Sequence, residues 1–258
     1  MCFDFDARPP APPDDLVLAP IAGGAGAELL ELTSADGTRF SAAVTEAATS
    51  KGGGVVIFPD VRGLYPFYSE LAERFAEAGY PAIVIDYFGR TAGLGPRDEH
   101  FEYMPHVEQL KVTQVEEDAA AAIEALRERT DAGAIATVGF CLGGFMSFQA
   151  GADISQLSAV IGFYGILGRS RAGAPAPLDR TTEIRVPLLG LFGGADQAIP
   201  VEEVEQFDAR LTRAGLEHKI HVYPGAPHSF FDRRYEEHAE ASEDSWRRML
   251  GFLERHLG

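Results

Sequence analysis

A chain of 258 residues, 46% hydrophobic and 24% charged, suits one large domain better than two small ones. Its 22 Lys and Arg stand against 39 Asp and Glu, a net charge of −17, and no basic cluster is present to neutralise phosphates, which excludes a nucleic-acid partner. The same charge is repelled by anionic lipid, and no apolar run approaches the length of a membrane span.

Two cysteines, Cys2 and Cys141, fit a reducing compartment rather than a disulfide scaffold, and MCFDFDARPPAPPDD lacks the basic and apolar regions of a signal peptide. The expected location is therefore cytoplasmic. Residues 1–26, rich in Pro, Gly, Ala and Asp, read as an irregular entry segment. Runs at 27–33 and 38–46, joined by the SADG turn, predict a hairpin. Short apolar runs then alternate with helical patterns. Strands are expected at 54–58, 82–86, 134–138, 159–165, 186–193 and 219–223, with helices over 67–79, 107–129, 201–214 and 236–257 and another opening at GGFMSFQAG. Gly168–Arg180 reads as a surface loop. The alternation predicts an α/β fold over 27–258, a doubly wound, mostly parallel sheet with helices on both faces and a site outside the strand carboxyl ends.

Gly139-Phe140-Cys141-Leu142-Gly143 lies between a strand and a helix. This is the G-x-nucleophile-x-G elbow with Cys in the nucleophile place. The turn is too sharp for side chains on both flanks, and a helix N-terminus favours a thiolate. The alternative, a buried cysteine acting as a small hydrophobe, does not explain the strand–turn–helix setting. In such folds the acid and then the base follow the nucleophile in chain order. Asp196 ends LLGLFGGAD after a strand, and His228 lies in PGAPHSFF after the next one. Asp196 would orient the imidazole, and His228 would take and return the proton. The other histidines, at 100, 106, 218, 221, 238 and 256, read mostly as packing or solvated residues.

GFCLGG (139–144), GGAD (193–196) and PHSF (227–230), supported by FPDVRGL (58–64), IDYFGR (85–90) and IGFYG (161–165), resemble the dienelactone hydrolase (carboxymethylenebutenolidase) family of the α/β-hydrolase superfamily. The resemblance covers roughly residues 27–258. It implies hydrolysis of a carboxylate-bearing unsaturated lactone from catechol breakdown, with no metal and no cofactor. It makes Cys141, Asp196 and His228 the triad and the Leu142 and Val61 N–H groups the oxyanion hole. It also makes Arg90 the holder of the substrate carboxylate and puts the Tyr164 aromatic near the site. Asp60 stands where the family carries a thiol-activating glutamate, one methylene longer. It is either that group's replacement or a turn residue. The family's second arginine has its nearest counterpart in Arg233, five residues after His228, with Asp232 in the expected place. Arg90 itself reads either as a site residue or as a solvated loop arginine. The expected partner is a small ester or lactone, bound by a monomer or small homo-oligomer. A broad carboxylesterase, a low-turnover ligand receptor and a thiol redox sensor are the competing classes; the ordered trio favours an enzyme.

Overall fold

The structure, a computed structural model, describes residues 7–19, 26–95, 97–231 and 236–258. Strands β1 (Glu28–Thr33) and β2 (Arg39–Thr45) form the antiparallel hairpin that opens the domain. The chain then runs β3 (Gly53–Phe58), α1 (Pro66–Glu77), β4 (Ala82–Ile85), α2 (Gly89–Ala92), α3 (Met104–Val107), α4 (Val112–Arg129) and β5 (Ala134–Phe140). It continues through α5 (Leu142–Asp153), β6 (Ala159–Phe163), β7 (Leu188–Gly193), α6 (Val201–Ala214), β8 (His218–Tyr223) and α7 (Ala239–Leu257).

The eight strands form one sheet in the order β1-β2-β4-β3-β5-β6-β7-β8. The six from β4 to β8 are parallel, and β2 meets β4 antiparallel. Every residue of β3, β4, β6 and β7 is buried, as expected for parallel strands covered on both faces. Helices α1 and α7 cover one face and meet where Phe75 packs edge-on against Trp246 at 5.1 Å. Helices α4, α5 and α6 cover the other, with Phe148 of α5 against Phe207 of α6 at 5.3 Å. The glycine row Gly139–Gly162–Gly190 crosses three paired strands. At Gly162 an added Cβ would lie 2.4 Å from the Phe148 ring, so bare backbone is what lets α5 press onto the sheet.

The chain steps from β3 outward to β4, then returns past β3 to β5. The topological switch point is therefore between β3 and β5, where a crevice opens outside the strand carboxyl ends. The strands and the four long helices fall close to their sequence-based ranges. The exception is the helix expected over 107–129. It is interrupted between α3 and α4 because Lys111 is extended and the Val112 N–H bonds the Ala172 carbonyl of the 168–180 loop at 2.8 Å.

Candidate active site

The switch point brings the two conspicuous glycine motifs together. Strand β5 ends at Phe140, and Cys141 turns at φ 55°, ψ −109° into α5. A non-glycine residue in that region is strained by roughly 1–3 kcal/mol and persists only where its surroundings hold it. Here the Cys141 N–H bonds the Phe163 carbonyl at 3.0 Å, and its carbonyl takes the Phe145 N–H at 3.1 Å. A Cβ on Gly139 would lie 1.9 Å from the Gly143 carbonyl oxygen, and one on Gly143 would lie 1.9 Å from that of Phe58. The elbow is thus packed backbone to backbone against both its own helix and the end of β3. The thiol is half-buried at the helix N-terminus.

Asp196 and His228 reach the same place from the ends of β7 and β8. Their turns are tied together: Gly194 N–H donates to the Tyr223 carbonyl at 2.8 Å and Ala195 N–H to that of Ala226 at 2.9 Å. The carboxylate is buried and its two oxygens have different work. Oδ1 accepts the Ala198 and Ile199 N–H groups at 2.8 and 3.2 Å, and Oδ2 accepts His228 Nδ1–H at 2.6 Å. That bond fixes the tautomer and leaves Nε2 for a second partner. Burial pulls the imidazole pKa down. The hydrogen bonds and charges of Asp196 and Cys141 outweigh it and raise the value to about 10. Below His228, Phe231 packs on Phe163 and Trp246 at 4.8 and 5.7 Å, anchoring the loop in the core.

Tyr164, itself at φ 36°, places its ring 4.9 Å from the His228 ring, so it borders this site. Val61 and Leu142 flank the elbow from β3 and α5, and among the described residues neither N–H donates to a backbone carbonyl. Asp60 and Arg90 are both engaged within the chain. The Asp60 carboxylate accepts the Arg62 backbone N–H at 2.9 Å and the Arg62 guanidinium at 2.8–3.2 Å. Its bonds thus go to its own turn. Arg90 is neither a ligand-facing arginine nor a solvated one. It pairs with Asp118 at 2.6 Å, Asp36 at 3.0 Å and Glu117 at 3.3 Å, joining the β1–β2 turn to α4. Three carboxylates of the chain already pair with it, whereas the resemblance gives it a substrate carboxylate. Arg233 lies outside the described residues.

Sequence reasoning passed over Arg62, the partner of Asp60, and Tyr87, whose hydroxyl donates to the Pro59 carbonyl at 2.6 Å. Tyr87 sits inside the motif Ile85–Arg90, but nothing local signals a partner 28 residues away. A cavity of about 960 Å³ lies elsewhere, between α1, β1 and the loop at Arg97 and Asp98. None of Cys141, Asp196 and His228 lines it, and Glu73 and Arg97 there are engaged by Ala27 N–H and Asp86. Among the described residues no group of side chains is arranged to hold a metal, and no helix is long and apolar enough to cross a membrane.

This sheet order, with a strained elbow after β5 and a bonded Asp196–His228 pair after β7 and β8, defines an α/β-hydrolase. The model of the dienelactone hydrolase family matches residues 40–257, and the chain belongs to that family. A carboxymethylenebutenolidase of Rhodococcus opacus is 30% identical over 226 residues, 81% of this chain and 83% of its own. A protein of Escherichia coli (strain K12), provisionally given the same name, is 32% identical over 213 residues, 79% of this chain and 77% of its own. The crystal structure of a protein from Klebsiella pneumoniae, provisionally named a dienelactone hydrolase, superposes with TM-score 0.75 at 27% identity over 87% of this chain and 98% of that one. The protein is accordingly a hydrolytic enzyme.

Proposed function

We propose that the enzyme is a cysteine hydrolase of small esters or lactones, with Cys141 as nucleophile, His228 as proton carrier and Asp196 as its orienting acid. The observation that carries this reading is the Asp196–His228 bond of 2.6 Å, which commits one imidazole nitrogen to the carboxylate and leaves the other for the thiol. In acylation the sulfur adds to the acyl carbon, and the carbonyl oxygen becomes an oxyanion facing the Val61 and Leu142 N–H groups. As the intermediate collapses, the C–O bond to the leaving group breaks, and His228 gives that oxygen its proton. In a lactone the released alcohol stays attached to the acyl group. Water, deprotonated by His228, then attacks the thioester; the acid leaves and the thiol is restored. No step calls on a metal or cofactor.

The relatives' names support a lactone among the substrates. The ion pairing of Arg90 argues against a carboxylate grip by that residue, so catechol-derived lactones are the narrower possibility and small esters or lactones the reading adopted. Residues 27–258 act in this scheme as one domain, because elbow, acid and base all hang on one sheet. Cys141→Ala, assayed on p-nitrophenyl butyrate, should lose turnover by at least about 10³-fold while its unfolding transition is kept. Full turnover in that variant would remove the thiol from the mechanism.

A further inference from the structure

Residues 59–64 carry one of the two proposed oxyanion donors, and they have no regular structure to hold them. Hydrogen bonds do so instead, and three of them engage backbone N–H groups of the turn. The Asp60 carbonyl takes Gly63 N–H at 3.2 Å, Asp60 Oδ1 takes Arg62 N–H at 2.9 Å, and Asp86 Oδ1 takes Leu64 N–H at 3.3 Å. Two of these accept at Asp60, and the first holds the carbonyl of the very peptide that carries the Val61 N–H. On the other side stands the peptide of Pro59, whose carbonyl oxygen would lie 2.4 Å from a Cβ on Gly143, so the elbow backbone bounds it on one flank. Its hydrogen-bonding partner is the Tyr87 hydroxyl at 2.6 Å.

Tyr87 follows β4 with its ring almost wholly buried, and its environment keeps it a donor. Burial first, then the charges of Asp60, Cys141 and Asp86, hold the phenol well above its ordinary pKa. The Pro59–Asp60 peptide, gripped by this hydroxyl and packed on Gly143, immediately precedes the peptide that carries the Val61 N–H.

We propose that Tyr87 is a positioning residue for the oxyanion hole, whose hydroxyl fixes the Pro59 carbonyl and thereby aims the Val61 N–H at the developing oxyanion. It touches neither substrate nor the reacting atoms. Its contribution arises only when negative charge forms on the acyl oxygen, because a ground-state carbonyl asks less of the donor. The inference rests on the thiol mechanism above.

Tyr87→Phe keeps the ring and removes the bond. On p-nitrophenyl butyrate it should lower kcat on the order of 10- to 100-fold, with KM within about threefold, as for a misplaced donor. An alkyl trifluoromethyl ketone adds reversibly to the thiol and forms an oxyanion in the same place. Its inhibition constant should rise by a factor similar to the loss in kcat. Iodoacetamide alkylates sulfur by displacement and forms no oxyanion, so the alkylation rate of Cys141 should stay within about twofold of the wild type. Two results overturn the proposal: kcat and ketone affinity both unchanged, or all three quantities falling together, which marks a disordered site. If iodoacetamide fails to inactivate the wild type, the thiol mechanism itself falls, and that is a separate observation from the Tyr87 comparison.

Discussion

The imidazole of His228 is held by two partners that both favour its charged form, and its behaviour with pH follows. Its folded value of about 10 lies above the ordinary 6.5, so the stability it contributes is fully present below pH 6.5 and is lost as pH rises through about 10. The same proton serves the leaving group. For an alkyl ester or lactone, whose alkoxide leaves poorly, kcat/KM should fall on an alkaline limb near pH 10. A p-nitrophenyl ester, with a good leaving group, should show a much weaker limb. Matched pH–rate profiles on the two substrates check this, and identical limbs would deny His228 its acid role. Arg90 makes a different residue-scale case. Its side chain is 12% exposed and that of Asp118 1% exposed, so Arg90→Ala strands a buried carboxylate. The expected loss is about 3 kcal/mol of stability, as for one partner removed from a buried pair. Thermal melts would show it, while the ratio of kcat/KM for anionic and neutral esters should not move. A selective loss on the anionic ester would return Arg90 to the substrate site.

At the scale of elements, helices α4 and α5 share a group of charges that the reaction does not use. Glu116 of α4 faces Asp153 of α5, which is paired with Arg180 at 2.6 Å. Burial, then the adjacent Asp153, raise the Glu116 carboxyl to about 8, with Arg180 opposing. The folded protein therefore keeps that proton at neutral pH, whereas the unfolded chain loses it near 4.5, and the resulting penalty to stability grows between pH 4.5 and about 8. Glu116→Gln should raise Tm by about 2–4 °C at pH 8.5, an increment on the scale of 1 kcal/mol for a chain of this size, and should change little at pH 4.5. Elements were also what the sequence showed best. Each parallel strand is a short apolar run that needs no distant information to be recognised, and the placement of Cys141, Asp196 and His228 was legible for the same reason: each follows such a strand in a glycine-marked turn. The gap between α3 and α4 was not legible, because it depends on Ala172 in a distant loop. The ion pairs of Arg90 and Asp60 were not legible for a related reason. The partners of Arg90 lie 27, 28 and 54 residues away, and the Asp60–Arg62 pairing depends on a turn geometry that no motif announces.

Over the whole molecule the net charge of −17 surrounds a site built to develop negative charge. An anionic substrate approaches against that field, and salt screens it within a Debye length of about 8 Å at 0.15 M. Raising ionic strength from about 0.01 to 0.15 M should therefore increase kcat/KM for a carboxylate-bearing ester by a few-fold and leave a neutral ester unchanged. The opposite trend would reveal a local positive field at the crevice.

The proposed mechanism turns on one covalent bond. The chain has two cysteines, Cys2 and Cys141, so an acylated thiol has few places to be. Enzyme mixed with p-nitrophenyl butyrate, quenched in acid within milliseconds and digested for mass spectrometry, should carry a hydroxylamine-labile butyryl group on the peptide containing Cys141. The acyl-enzyme should form and decay at rates that account for turnover. Steady hydrolysis with no thioester on that peptide, retained in Cys141→Ala, would contradict the central claim.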